Sequence, residues 1–306
     1  MISVEDCVSI EVSNLRNYVE QSQERLLIIV RQEEILGEGK EKKVIQNMHK
    51  ESYNQKVLHG QFYKNTEKVR DPLTWDWLKK GYLKKETEGM IMAAQDQALR
   101  TRYIRKEIDK EDISAECRLC NERNETVSHI VSECKMLAQN HYKNWRHDKI
   151  AQILHWKLCQ LYCFDCSEKW YEHEIEKVLE NDDVKILWDF KIQTDKVLEH
   201  SRPDITIHKK AKKECILVDV ACPFDTRVKE KEEEKIAKYQ DLKYEIKRIW
   251  QCCRVEVIPV IIGALGTVTK RLSSWLEVIG TIDIFNIIQK ACLLGSARIL
   301  RYVLDT

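Results

Sequence analysis

Proline and glycine are scarce in this chain, at 4 and 9 among 306 residues. A fold of many short strands needs turn residues at close intervals, so this scarcity argues against an all-β architecture and for long helices. A surplus of positive charge is also missing. Lys and Arg number 51 against 50 Asp and Glu, for a formal net charge of +1. The chain as a whole is therefore no polycationic nucleic-acid binder, and contact with phosphate must come from local clusters of basic residues. Nor is there an apolar run of about eighteen residues, which a membrane-crossing helix needs. No secretory leader pattern opens the sequence. These absences point to a protein that is not secreted, has no membrane partner, and is nuclear or cytoplasmic.

What is present in quantity is cysteine, at 12 residues. Their spacing is irregular and several fall inside apolar patterns, which fits free thiols in a reducing compartment better than a disulfide framework. With 33% charged and 43% apolar residues, the chain can build a buried core carrying solvated helices.

Residues 1–110 read as a helical connector. Its first part is polar apart from the apolar positions Leu26, Leu27, Ile28, Ile29 and Val30. Asp71-Pro72 is a break suited to a helix start. Met90, Ile91, Ala94, Ala98 and Leu99 then fall near helical spacing, which predicts one helix over about 86–105. No catalytic constellation occurs in this region.

Residues 111–140 carry the first recognisable chemistry. Cys117-x2-Cys120 is followed after eight residues by His129 and after four more by Cys134. A CxxC turn offers two thiolates to one ion, and a His and a Cys about one turn apart supply two more ligands, which suits tetrahedral zinc. A second CxxC spacing, Cys163 and Cys166 with His173 beyond, lacks an evident fourth ligand and reads as packing.

From residue 141 the pattern predicts a helix to about 162, with Arg146-His147-Asp148 on its first half, and another helix over 183–200. The pattern then changes to strands. Ile205-Thr-Ile207 and Cys215-Ile-Leu-Val-Asp219-Val-Ala form a hairpin around a turn bearing Lys209, Lys210, Lys212 and Lys213. Asp204 heads one strand and Asp219 lies inside the other. A carboxylate in an apolar strand is costly unless it is paired or binds a cation, so the two acids are candidate magnesium ligands. A helix over about 228–250 follows, then a strand with Pro259 marking an edge or bulge, then helices near 268–278 and 284–304. On a helical wheel Ile236, Tyr239, Leu242, Ile246 and Ile249 share a stripe, with Lys235 within it and Lys238 at its edge. The fold class is α/β: a mixed sheet with flanking helices over 141–280 and a C-terminal helix over 281–306.

In this order the motifs resemble the C-terminal region of non-LTR retrotransposon proteins, which carry a restriction-like endonuclease behind the reverse transcriptase. The Cys117, Cys120, His129, Cys134 spacing matches that family's zinc knuckle, and Arg146-His147-Asp148 its basic-His motif. Arg202-Pro203-Asp204 followed by Asp219 matches its nuclease pair, and Lys235-Ile-Ala-Lys238-Tyr239 its lysine-bearing helix. The resemblance implies a restriction-endonuclease-like fold, structural zinc, catalytic magnesium on Asp204 and Asp219 assisted by the Val220 carbonyl, and hydrolysis of DNA phosphodiester bonds. Lys235 and Lys238 would be catalytic. Arg146, His147, Arg202, Lys209, Lys210, Lys212 and Lys213 would contact DNA, with RNA as the other nucleic-acid partner. Two departures stand out. Such nucleases usually place a lysine two residues after the second acid, where this chain has Ala221, so the lysine must come from elsewhere; Lys235 is the candidate, against the plainer reading of a packed stem with its head in solvent. No Tyr/Phe-x-Asp-Asp polymerase motif occurs, so the chain cannot copy RNA. The competing expectation is a catalytically silent nucleic-acid-binding or interaction protein that keeps the zinc knuckle and the nuclease fold.

Overall fold

A computed structural model describes residues 58–305, together with Ser52, Gln55 and Lys56. The apolar positions Leu26 to Val30 lie outside the described residues. The chain divides into two compact units, 1–67 with 83–127 and 68–82 with 128–306.

The first unit contains helices α1 (Gln61–Thr66), α2 (Lys85–Gln95) and α3 (Arg102–Glu107). Helix α2 buries Ile91, Met92, Ala93 and Ala94. The single helix expected over 86–105 is two. Gln97 takes a left-handed φ of 55°, which ends α2, and Thr101 restarts the helix by accepting a hydrogen bond from the Ile104 amide.

The second unit is mixed α/β, built on a five-stranded sheet of order β1-β2-β3-β4-β5. The strands are β1 (Val178–Glu180), β2 (Val184–Trp188), β3 (Ile205–Lys209), β4 (Glu214–Ala221) and β5 (Arg254–Ile261). The first four pair antiparallel, while β5 pairs parallel with β4. Helix α4 (Asp148–Leu161) continues a wider π-type stretch, Ala138–His147. Between β4 and β5 lie α5 (Val228–Lys238) and α6 (Gln240–Ile249), and α7 (Leu272–Val278) and α8 (Phe285–Leu304) close the unit. The helix expected over 183–200 is overturned in its first part. Val184, Ile186 and Trp188 alternate as β2, because a five-residue apolar run fits a strand as well as a helix and the β3 ladder decides the matter. Pro259 lies on β5, an edge strand, where a missing amide leaves no gap in the sheet.

Strand alternation sorts the core onto the two faces of this sheet. Ile205, Ile207, Ile216, Val218, Val220, Ile258 and Val260 pack against α4, α7 and α8. On the opposite face Cys215, Leu217, Val255 and Val257 pack against Tyr239, Leu242 and Ile246. Asp219 shares the register of this second face, so it points beneath the α5–α6 corner. The helix expected over 228–250 bends at that corner, where Tyr239 (φ −104°, ψ 14°) separates α5 from α6. Among the described residues no helix is long and apolar enough to cross a membrane.

Candidate functional site

Asp219 sits inside β4 and is almost fully buried. Its burial is met by three donors from α5 and the residue that ends it. Lys235 Nζ forms an ion pair with Oδ2. Lys238 Nζ lies 3.4 Å from Oδ1 and the Tyr239 hydroxyl donates to the same oxygen at 2.5 Å. Lys235 and Tyr239 are four residues apart, so both fall on the helix face that covers the sheet. Burial alone would raise the carboxyl's pKa. The charge and hydrogen bond of Lys235, with Tyr239 and Lys238, outweigh it and hold Asp219 below the usual carboxylate range. Burial and the adjacent Asp219 charge push the Tyr239 phenol well above its usual value, so it stays a donor.

Asp204 stands one residue before β3. Ile205 pairs with Val218, so continuing that register places Asp204 opposite Asp219 at one end of the sheet. Its Oδ2 accepts the Val220 amide at 2.6 Å and lies 3.1 Å from His147 Nε2. The other ring nitrogen of His147 lies 2.9 Å from Asp148 Oδ1, and Asp148 in turn accepts from Lys143 at 2.8 Å. Burial works against a charged His147, but the hydrogen bonds to Asp148 and Asp204 prevail and raise its pKa to about 10. His147 is therefore an imidazolium at neutral pH. The end of the sheet holds two carboxylates, each joined to cations supplied by helices from opposite faces.

The other expected nucleic-acid contacts are placed differently. Arg146 is buried: its guanidinium donates to the Val131 carbonyl at 2.5 Å and to Ser296 Oγ at 3.2 Å, and it lies over the Tyr142 ring. So placed it presents nothing to a phosphate. Arg202 is exposed and forms a fork with Asp189, at 2.7 Å to each carboxylate oxygen. Lys210 is engaged by Glu180 at 2.8 Å, whereas Lys212 and Lys213 are exposed and Lys209 is half-buried. This basic turn joins the ends of β3 and β4 that lie away from Asp204 and Asp219. Six strand steps separate Asp204 from Lys210, roughly 20 Å. The lysines therefore do not flank the acid pair: a hairpin turn lies at the opposite end of the sheet from the start of its first strand and the end of its second.

In the segment 117–134, the ligand atoms of Cys117, Cys120, His129 and Cys134 all lie within 4.8 Å of one another. Ligands held at about 2.0–2.3 Å from a tetrahedral ion stand about 3.3–3.8 Å apart, so a small contraction suits zinc. Neighbouring polar groups hold the segment in shape. The Cys117 amide donates to the Arg123 carbonyl and the Asn121 amide to the Cys117 carbonyl, with Asn121 in a left-handed turn. Buried Glu125 accepts from the Arg118 amide and guanidinium. The Tyr142 hydroxyl contacts the Cys134 amide and the carbonyls of His129 and Ile130. These Cys and His groups could hold a metal ion such as zinc.

The sequence reading missed the part played by Tyr239, whose place on the apolar stripe marked it as core. It also missed His147 as the partner of an acid rather than of a phosphate. A search against family models found no match and a search against curated proteins found none.

Proposed function

We propose that the second unit is a metal-dependent DNA endonuclease of restriction-like fold, related to retrotransposon proteins, and that the Cys117–Cys134 segment is its zinc knuckle. One observation carries the reading: a buried aspartate in an apolar strand is met by two lysines of one helix, with a second aspartate opposite it in register. A fold that needed only packing would place an apolar residue at 219, because a buried ion pair contributes little net stability over an apolar replacement.

The oxygen donors of Asp204 and Asp219 suit a hard cation such as magnesium. When bound, such an ion would supply Lewis acidity to a scissile phosphate and acidify a water. Lys235 keeps Asp219 ionised and stands where a nuclease needs a fixed cation beside the second acid, the role for which Ala221 is unsuited. Lys238, half-buried at the edge of the helix, can turn toward a phosphate oxygen. His147 fixes the orientation of Asp204, and Tyr239 that of Asp219. Exposed Lys212 and Lys213 are left for sequence-independent contact with a nucleic-acid backbone. A DNA substrate makes the nucleus the natural compartment.

A second reading, a silent nucleic-acid-binding protein, is favoured by the engagement of both Asp219 oxygens. An ion can reach them only if an ammonium gives way. A nicking assay on supercoiled plasmid with magnesium, run against Asp219→Ala, separates the two. Nicking by the wild-type chain and not by the variant supports the nuclease. DNA retention without nicking at any magnesium or manganese concentration selects the silent protein.

A further inference from the structure

Three buried ligand-type side chains meet on the other side of the sheet from α5. His155 and Cys159 lie one turn apart on α4 and so project from the same face of that helix. His173 follows the short 3-10 turn Trp170–Glu172. Its Nε2 lies 2.8 Å from His155 Nδ1, and Cys159 Sγ lies 3.6 Å from His155 Nδ1 and 4.0 Å from His173 Nε2. All three residues are buried, and their ligand atoms fall within 4.8 Å of one another.

A hydrogen-bonded histidine pair would account for one edge of this triangle. It gives no reason for a thiol to stand nearly equidistant from both nitrogens. Ligands on a tetrahedral ion stand about 3.3–3.8 Å apart, and the three edges, at 2.8, 3.6 and 4.0 Å, bracket that range. The loop that delivers His173 is already tied to α4 on both sides of the triangle. Gln152 donates to the His173 carbonyl at 3.0 Å, and the Trp156 indole donates to the Ser167 carbonyl at 2.9 Å. The Trp188 ring meets His155 edge-on at 5.5 Å, closing the apolar side. Such outer contacts orient ligand rings before an ion arrives.

We propose that His155, Cys159 and His173 form a second metal site, for a divalent ion of the zinc type. Two imidazoles and a thiolate are borderline-soft donors, which select zinc over magnesium. The fourth position is left to a water, because Cys166, half-buried in the loop between Cys159 and His173, is not among the side chains whose ligand atoms meet there. The site is a staple: it fastens the largely irregular stretch 162–177 to the helix whose first turn carries Asp148, beside His147. It does not depend on the nuclease reading, because its readout is metal content.

The test is metal analysis of the full chain purified without added chelator. The wild type should carry about two equivalents of zinc, and Cys117→Ser with Cys134→Ser should keep about one, held by two imidazoles and a thiolate. Cys159→Ser with His173→Gln should also keep about one. If that variant fails to fold, 113Cd resonance of the exchanged wild-type chain decides. Two resonances are expected, with the one from the three-thiolate site further downfield. Loss of all zinc in Cys117→Ser with Cys134→Ser, or zinc content unchanged from wild type in Cys159→Ser with His173→Gln, overturns the proposal.

Discussion

The Tyr239 hydroxyl donates to Asp219 Oδ1 at 2.5 Å, from the residue at which α5 ends and α6 begins. The bend in the helix and the buried acid in the strand are therefore one feature. An unbroken helix from 228 to 249 would carry Tyr239 along a straight axis. The kink lets its ring pack against Leu217 and Val257 while its oxygen reaches the carboxylate. Tyr239→Phe keeps the ring and removes one donor from a buried ionised group. A loss of about 1–3 kcal/mol is expected, read as a lower denaturant midpoint at unchanged slope. A variant as stable as wild type would mean that Lys235 and Lys238 satisfy Asp219 alone.

Lys235 is the sharper test of chemistry. Lys235→Ala should abolish plasmid nicking while leaving DNA retention within a few-fold of wild type. Lys231→Ala, on the same helix but paired with Glu234 at 2.6 Å, should change neither. Unimpaired nicking by Lys235→Ala would leave it as a structural counter-charge to buried Asp219 with no part in the chemistry.

How far the sequence carried these features depended on whether the deciding contact was local. The hairpin of β3 and β4, the edge position of Pro259 and the long C-terminal helix follow from periods within single segments, and all three occur. Strand β2 was invisible as a strand because Val184-Lys-Ile-Leu-Trp188 is too short for its period to exclude a helix, and only pairing with β3 decides it. His155 and Cys159 were hidden for the opposite reason. They sit among the apolar residues of a good amphipathic helix, and their third partner lies fourteen residues beyond Cys159 in an irregular loop. The acids were legible from their cost in an apolar strand, but the identity of their partners was not.

His147 makes stability depend on pH in a defined direction. Its pKa is about 10 in the folded chain against about 6.5 when unfolded. Its bonds to Asp204 and Asp148 thus contribute fully below about pH 6.5, and the contribution is lost as pH rises toward 10. Wild type should lose stability across that window, and His147→Gln should lose less. The check is thermal unfolding of both chains at several pH values between 6 and 10.5. Parallel curves would mean that His147 is neutral in the fold.

Zinc at the Cys117 segment predicts a metal-dependent structure. Cys117→Ser with Cys134→Ser should lower zinc content by about one equivalent and make the chain around residues 111–140 sensitive to limited proteolysis. Unchanged metal content would remove the knuckle from the account.

Arg146 separates structural from nucleic-acid roles most cleanly. Its guanidinium is buried between the Val131 carbonyl and Ser296, and Gly295 makes room for it: a β-carbon at 295 would stand 2.4 Å from Arg146 Cγ and 2.3 Å from the Trp145 carbonyl oxygen. The helix α8 and the π-type stretch are held together by this arginine and by the missing side chain that admits it. Arg146→Ala strands the Val131 carbonyl and opens a cavity, so a loss of about 2–5 kcal/mol is expected. Gly295→Ala should destabilise as well, although no charge changes. If Arg146 instead contacted phosphate, its removal would lower the slope of log K against log salt by about one, and Gly295→Ala would not. Measuring DNA retention across a salt series for both variants, below their unfolding temperatures, distinguishes the cases. The buried geometry predicts an unchanged slope for each, whereas Lys212→Ala with Lys213→Ala should reduce it without a change in stability.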